Sequence, residues 1–314
     1  MRNKILSSIK TGAICDALGY PVEFDLNPVV EIPEELLFTD DTQMTLFVME
    51  GLTKGNVKQA MIEWYYTQEY ENANYPLCWF GKDPRMQEQM APGNTCISSL
   101  ESIEKFNKRP LNNSKGNGAL IRSASFGMAS ENPEVAFKEA FDHSFLTHDH
   151  FLSAISCGSF AMIICNMLYK GFALKEAVDN TIDYLALFDS NDYIEVRNIL
   201  YDARHLKYNT DTDPVGYFGE GWVAEEALGI AVYSALLYEK TDNFERAIKY
   251  AIYHKGDSDS TGSIFGNLVG LMIGDVEKVD ELLKNTFNIS IHDIDCEDII
   301  DKVVYDFCKI LCHF

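Results

Sequence analysis

The sequence predicts an all-α fold, and three observations lead to this prediction. Apolar residues recur at intervals of three and four along most of the 314 residues, which is the period of a helix that buries one face. The period-2 alternation typical of strands hardly appears. Hydrophobic residues make up 46% of the chain and aromatic residues 12%, which is enough material for one large core. We therefore expect a compact, orthogonal bundle of helices in a single domain over residues 1–314.

Apolar stripes predict individual helices in chain order. The least polar long stretch, 154–169, is interrupted by Ser, Cys, Gly and Asn and is too short to span a bilayer, so we expect a core helix there and no membrane partner. No apolar signal region follows the N-terminal basic residues, which predicts a cytoplasmic protein. The other stripes cover residues 44–52, 57–65, 174–185, 244–252, 279–287 and 299–311.

Glycine recurs every four residues in the apolar segment 260–274, at Gly262, Gly266 and Gly270. A glycine inside a helix costs about 1 kcal/mol relative to alanine. The repetition is best explained by the close approach of a neighbouring backbone, which predicts a central helix. A glycine-weakened surface helix is the alternative, and the apolar residues between the glycines disfavour it.

Proline, glycine and asparagine gather in four irregular stretches, which we expect to rim one end of the bundle. These stretches are residues 20–38, 75–95, 105–118 and 210–221. Two aromatic residues in or beside them, Phe24 and Trp222, are expected to pack in the core.

The charge balance limits the classes of partner. The chain has 26 basic and 48 acidic residues, a formal net charge of −22. Nucleic acid is therefore not expected as a direct partner, because a phosphate backbone needs clustered Lys and Arg. An anionic small molecule could bind only where metal ions, backbone N–H groups or a helix terminus invert the local field.

Two acidic segments stand directly before apolar helices rather than on a polar helix face. They are FTDDTQM at residues 38–44 and HKGDSDSTG at residues 254–262. Hard oxygen ligands of this kind suit magnesium, calcium or manganese and not zinc. The oxygen-bearing candidates are Thr39, Asp40, Asp41, Asp257, Asp259 and Ser260.

Helix capping is the alternative interpretation of these acids. Acidic residues at a helix N-terminus contribute about 0.3 to 1 kcal/mol each, and Asp40 with Gln43 resembles a capping box. Four converging carboxylates without cations would cost about 4 kcal/mol per close pair at an effective dielectric of about 20. Two divalent ions would remove that cost, so convergence of the two segments predicts a binuclear metal site at one end of the bundle.

Seven motifs follow one another along nearly the whole chain. They are GAICDALGYPVEF (12–24), FTDDTQM (38–44), APGNTC (91–96), GNGALIRSA (116–124), THDH (147–150), GEGWVAEEAL (219–228) and GDSDSTGSIFGNLVG (256–270). In this order they resemble the motifs of the ADP-ribosylglycohydrolases, including the dinitrogenase reductase activating glycohydrolase group. The resemblance implies an all-helical enzyme that holds two magnesium or manganese ions and cleaves the glycosidic bond of ADP-ribosylated protein side chains, releasing ADP-ribose.

The resemblance also implies roles for single residues. The six oxygen-bearing candidates would hold the metal pair, and Glu23 would reach the same centre from the first loop. Asn117 and Gly118 would lie against the diphosphate with their backbone N–H groups, and His148 would contact the ADP-ribose. Glu23 and Asp41 are both candidates for the carboxylate that positions or deprotonates the attacking water.

Four positions depart from the family pattern. Cys15 and Lys255 stand where the family has glycine, and Ala119 stands where a third glycine is common. Ser260 replaces threonine, but its hydroxyl can still bind a metal ion. None of these changes removes a carboxylate, so they bear on substrate fit more than on metal binding.

Arginine is the first expected acceptor of the ADP-ribose, and two other functions stay open. The chain could be a catalytically silent relative that binds ADP-ribose or serves a structural role. It could also be an immunity protein that neutralises an ADP-ribosylating toxin by reversal or by occlusion. The intact set of six ligand residues favours the enzyme over the silent relative.

Overall fold

The computed structural model describes residues 1–25, 32–69, 75–207 and 214–311. Within these residues the chain forms fifteen α-helices and no strand, so the predicted all-α fold is confirmed. The helices are α1 (Arg2–Gly19), α2 (Asp40–Lys54), α3 (Val57–Gln68), α4 (Asn94–Phe106), α5 (Ala124–Ala129), α6 (Pro133–Ser144), α7 (Phe151–Cys165), α8 (Leu174–Leu185), α9 (Asn191–His205), α10 (Pro214–Phe218), α11 (Ala224–Thr241), α12 (Phe244–Ile252), α13 (Ser258–Ile273), α14 (Val276–Phe287) and α15 (Glu297–Leu311).

The predicted apolar stripes all fall inside helices of the structure, namely α2, α3, α8, α12, α14 and α15. The stretch 154–169 lies in α7 and in the π-helical turn Asn166–Lys170 that continues it. By length and composition, Phe151–Lys170 could cross a membrane, but 94% of the apolar window is buried against the rest of the protein. The prediction of a core helix is confirmed.

Helix α13 lies at the centre of the molecule against α1, as the glycine repeat predicts. A Cβ atom added at Gly266 would lie 2.4 Å from the carbonyl oxygen of Thr11, and one added at Gly262 would lie 2.5 Å from that of Cys15. Such distances leave no room for any side chain at these positions. The two backbones are therefore in direct contact, which fixes the start of α13 relative to the end of α1.

The predicted loops do lie together, but one of them contains a helix that the sequence did not predict. Residues from the stretches 20–38, 75–95 and 105–118 share one cavity with the N-terminus of α13. The stretch 210–221 contains α10, which begins at Pro214, a residue suited to the first helical position. Five residues are too short to produce a periodic signal. Residues 26–31 and 210–213 of these stretches lie outside the described residues.

Candidate active site

A cavity of about 310 Å³ opens where the N-termini of α2, α4 and α13 converge. Its wall draws acidic side chains from the first loop and from both acidic segments, which are distant in the sequence. The two segments therefore meet in space. The cavity is lined by Glu23 from the first loop, by Asp40 and Asp41 from the first acidic segment, and by Asp257, Asp259 and Ser260 from the second.

Thr39 begins α2 as its N-cap, because its Oγ1 accepts the backbone N–H of Asp41 at 3.2 Å. The prediction of a capping box with Asp40 as the N-cap and Gln43 as its partner is therefore wrong. Gln43 bonds to Glu88 and Trp64 instead. Thr39 is fully buried and is not among the residues that line the cavity.

Asp40 is the first residue of α2, and its Oδ2 accepts the N–H of Gly93 at 3.3 Å. This bond ties α2 to the loop that leads into α4. Asp41 follows with its Oδ2 buried and without a hydrogen-bond partner among the described residues. Both carboxylates line the cavity, so the start of α2 presents two adjacent acids to one space.

Asp16 lies beneath the start of α2, and the sequence patterns did not predict a role for it. It is fully buried on α1, and its carboxylate accepts the N–H of Thr39 at 3.1 Å, the N–H of Thr42 at 3.3 Å and the hydroxyl of Thr42. Two helices are thus joined through one carboxylate. The available signal was an acid within the apolar run of residues 13–18.

Asp257 is the N-cap of α13, and its carboxylate accepts the N–H of Ser260 at 3.3 Å. The Nδ2 of Asn117 donates to the Oδ2 of Asp257 at 2.8 Å, which fixes the direction of that carboxylate. Asp259, in the first turn, accepts the same Ser260 N–H at 2.9 Å. Glu23, Asp257 and Asp259 each offer an oxygen within 4.8 Å of the others. Three carboxylates from two distant segments therefore face one point.

Burial raises the pKa of every carboxyl group in this cluster, and the neighbouring carboxylates raise most of them further. The pKa of Glu23 rises to about 7 and that of Asp16, which burial dominates, to about 6. The remaining groups shift in the same direction for the same first cause, namely Asp40, Asp41, Asp257 and Asp259. Acids so close together resist ionisation unless a cation lies among them.

The donor set fits divalent cations. The cavity wall, within the part of the chain that is described, includes no lysine or arginine that could neutralise the acids. The buried Oδ2 of Asp41 has no partner, and leaving a buried carboxylate oxygen unpaired is costly. Carboxylate and hydroxyl oxygens are the ligands that magnesium and manganese prefer. The site is therefore suited to hold such ions.

The segment Gly116–Gly118 forms another wall of the cavity. Asn117 begins a short 3₁₀-helix, and its side chain donates to the carbonyl of Gly221 at 2.8 Å as well as to Asp257. The side chain of Asn117 thus positions the carboxylate of Asp257. Asn117 and Gly118 both line the cavity.

His148 lies behind this segment with only 2% of its surface exposed. A Cβ added at Gly116 would lie 3.0 Å from its Nε2. Burial, followed by the charge of Arg122, lowers the pKa of His148 to about 3. The imidazole is therefore neutral in the physiological range.

The neighbours of His148 allow either tautomer. Its Nδ1 lies 2.8 Å from the Oγ1 of Thr147, and that oxygen also accepts from Arg122 at 2.7 Å. A hydroxyl oxygen has two lone pairs and one proton, so Oγ1 can accept from Nδ1 or donate to it. When Oγ1 donates, the Nε2 of His148 carries the ring proton and acts as a donor.

Phe24 and Trp222 form an aromatic pair on the cavity wall, with ring centroids 5.0 Å apart and planes at 21°. Phe24 is 68% exposed, so the expectation that it packs in the core is wrong. Its place directly after Glu23 holds it at the surface. Trp222 is half-buried rather than a core residue.

Comparisons with known proteins bear on the family and the fold. The family model described as ADP-ribosylglycohydrolase matches residues 1–291. No curated protein sequence matches the chain. A solved structure titled "ADP-ribosylglycohydrolase-related protein complex" is 18% identical with a TM-score of 0.68, and the match covers 98% of both chains. At that identity the likeness shows a common fold.

Proposed function

The chain belongs to the ADP-ribosylglycohydrolase family, and on that premise we propose that it removes ADP-ribose from modified protein side chains with the help of two magnesium or manganese ions. Membership makes the chain a hydrolase of glycosidic bonds. The ions and the acceptor are what the proposal adds. Its main support is the set of five carboxylates that line one cavity without a lysine or arginine in the described wall.

The proposed ligands come from the two helix N-termini, with Glu23 reaching them from the first loop. Thr39 belongs to the set because its hydroxyl oxygen, which accepts one N–H, keeps a second lone pair. Bound ions would orient the ribose hydroxyls and lower the pKa of a coordinated water. The full proposed set is Thr39, Asp40, Asp41, Asp257, Asp259 and Ser260.

A carboxylate of the chain would take or position the proton of the attacking water. Glu23 suits this role because it is half-exposed and offers an oxygen within 4.8 Å of those of Asp257 and Asp259. Asp41 suits it because its buried Oδ2 is free of protein partners. We keep both as candidates.

Neutral donors would bind the ADP-ribose on the opposite wall. The Nε2–H of His148 can donate to a hydroxyl or phosphate oxygen, and the backbone N–H groups of Asn117 and Gly118 can approach the diphosphate. Such donors are needed there, since the acidic wall repels an anion. We propose these three residues as substrate contacts.

Arginine is the proposed acceptor, because an acidic cavity favours a cationic leaving group over a neutral or anionic one. A catalytically silent relative would be expected to lack ligand carboxylates, and none is missing here. An immunity protein that reverses a toxin would use this same site. We expect the reaction to take place in the cytoplasm.

The test is a panel of ADP-ribosyl-arginine, ADP-ribosyl-serine and poly(ADP-ribose), each with magnesium, with manganese and with EDTA. We expect free ADP-ribose from the arginine substrate only when a divalent ion is present. Release from serine alone would correct the acceptor. No release from any substrate, together with a melting temperature that rises with ADP-ribose, would identify a silent binding protein instead.

A further inference from the structure

Glu23 is held differently from the other carboxylates of the cavity. The other four belong to the starts of α2 and α13, and three of them, Asp40, Asp257 and Asp259, accept backbone N–H groups. Glu23 follows the 3₁₀-helix Tyr20–Val22, and its backbone N–H bonds to Gly19 and Tyr20. Its carboxylate accepts no hydrogen bond from any described residue. The direction of this side chain therefore depends on the backbone at residues 23 and 24.

Phe24 has a backbone conformation that a bulky residue rarely adopts, with φ at +66°. Such a conformation persists only where the surrounding contacts hold it. The N–H of Asp25 donates to the carbonyl of Val22 at 3.1 Å and closes the turn. Most of the Phe24 side chain is exposed, and its ring contact among the described residues is the stack on Trp222. The stack is thus the side-chain contact that adds to this hydrogen bond in offsetting the strain.

Trp222 is in turn fastened to the segment that carries Asp257. Its Nε1 donates to Glu220 at 3.3 Å, and the other carboxylate oxygen of Glu220 pairs with Lys255 at 3.1 Å. The carbonyl of Glu220 accepts the N–H of Asp257 at 2.8 Å. A Cβ added at Gly256 would lie 1.8 Å from that carbonyl oxygen, so the two backbones touch. Lys255, which stands where the family has glycine, thus forms its ion pair with the residue that also holds the indole of Trp222, namely Glu220.

We propose that Trp222 is a positioning residue: through its stack on Phe24 it holds Glu23 beside Asp257 and Asp259. Trp222 does not touch the reacting atoms in this role. The inference rests on the proposed function, because it assigns Glu23 to the same metal centre. Glu220 and Lys255 fasten the indole, so the residues that carry Asp257 also set the place of Glu23.

The experiment compares Trp222→Ala with Trp222→Phe. Magnesium affinity is measured by calorimetry without substrate, so that a contact between the indole and the substrate cannot contribute. We expect Trp222→Ala to weaken magnesium binding about 10- to 100-fold and to lower kcat by a similar factor. Trp222→Phe keeps a ring for the stack and should recover most of the affinity.

A double-mutant cycle separates positioning from a general loss of structure. In a Glu23→Gln background, Trp222→Ala should cause little further loss of magnesium affinity, because its effect passes through Glu23. Trp79→Ala, which removes a partly exposed tryptophan outside the cavity wall, is the matched control. If Trp222→Ala does not fold, Phe24→Ala removes the same stack, keeps a non-glycine residue at the positive φ, and should show the same loss.

The outcomes distinguish the two proposals. If the unmodified protein neither binds magnesium nor hydrolyses any substrate, the proposed function fails and this inference fails with it. If the unmodified protein does both, and Trp222→Ala or Phe24→Ala matches it, only the positioning role is overturned. Full additivity of Trp222→Ala with Glu23→Gln would also overturn that role.

Discussion

The carboxylate of Asp16 accepts the backbone N–H of Thr39 at 3.1 Å, and this bond joins the end of α1 to the start of α2 inside the protein. The N–H and hydroxyl of Thr42 donate to the same carboxylate. The pair of acids that follows Thr39 is therefore placed by a residue that does not line the cavity itself.

Asp16→Ala should destabilise the protein and disorganise the start of α2. It would leave buried donors of Thr39 and Thr42 without an acceptor, and each orphaned group costs about 1 to 3 kcal/mol. We expect a fall of about 3 kcal/mol or more in the free energy of unfolding, measured by urea denaturation. Asp142→Ala, which removes an exposed pair with Lys138, should change it by less than about 1 kcal/mol. Equal effects of the two variants would contradict the anchoring role.

Magnesium should stabilise the protein more at about pH 7.5 than at about pH 5. The raised carboxyl pKa values mean that the metal-free folded state binds protons more tightly than the unfolded chain. The stability from these groups is thus complete below their ordinary pKa of about 4 and is lost as pH rises. The loss extends through the raised values, about 6 for Asp16 and about 7 for Glu23. Bound divalent ions should reverse this loss of stability at pH values where the carboxyl groups are ionised.

The measurement is the melting temperature with EDTA and with saturating magnesium at both pH values. At about 100 times the dissociation constant, an ion stabilises by about 2.7 kcal/mol. A magnesium-induced shift that is equal at both pH values, or larger at the acidic one, would contradict a metal centre built from these acids.

Glu23→Gln and Asp41→Asn should reveal which carboxylate handles the water. Loss of a general base typically lowers kcat by about 10² to 10⁴. The variant of the true base should also lose the acidic limb of the pH profile of kcat, because that limb records protonation of the base. The other variant should keep the limb, and both variants should weaken magnesium affinity because both carboxylates belong to the proposed metal centre. Retention of the limb in both variants would exclude both residues.

His148→Ala should weaken ADP-ribose binding without changing magnesium affinity. The Nε2–H of His148 offers one hydrogen bond, worth about 0.5 to 1.5 kcal/mol, or up to about tenfold in the dissociation constant. Because the pKa of His148 is lowered to about 3, binding in the unmodified protein should show no histidine titration between about pH 5 and 8. Calorimetry at several pH values tests both statements, and a loss of affinity centred near the ordinary histidine pKa would contradict the neutral donor.

Local patterns in the sequence were enough for eight of the fifteen described α-helices and for the two acidic segments, while the family resemblance supplied Glu23, Asn117, Gly118 and His148. Apolar spacing fixed α2 and α3, and the glycine repeat indicated the contact of α13 with α1. The patterns did not predict the anchoring role of Asp16 or the stack of Phe24 on Trp222. The partners in these contacts come from distant parts of the chain, and no residue spacing encodes such contacts. The N-cap of α2 was misplaced by one residue, since Thr39 and Asp40 are both good capping residues and only the folded backbone distinguishes them.

Gly266→Ala tests whether the contact between α1 and α13 sets the geometry of the site. The added methyl group would lie 2.4 Å from the carbonyl oxygen of Thr11, so the helices must separate. Alanine favours a helix over glycine by about 1 kcal/mol, but overpacking costs about 1 to 3 kcal/mol or more. We expect net destabilisation in urea and weaker magnesium binding, because α13 carries Asp259 while α1 anchors α2. Gly93→Ala, with nothing within 4 Å of the added Cβ, should leave the free energy of unfolding nearly unchanged. A Gly266→Ala protein as stable as the parent would show that this backbone contact is not needed.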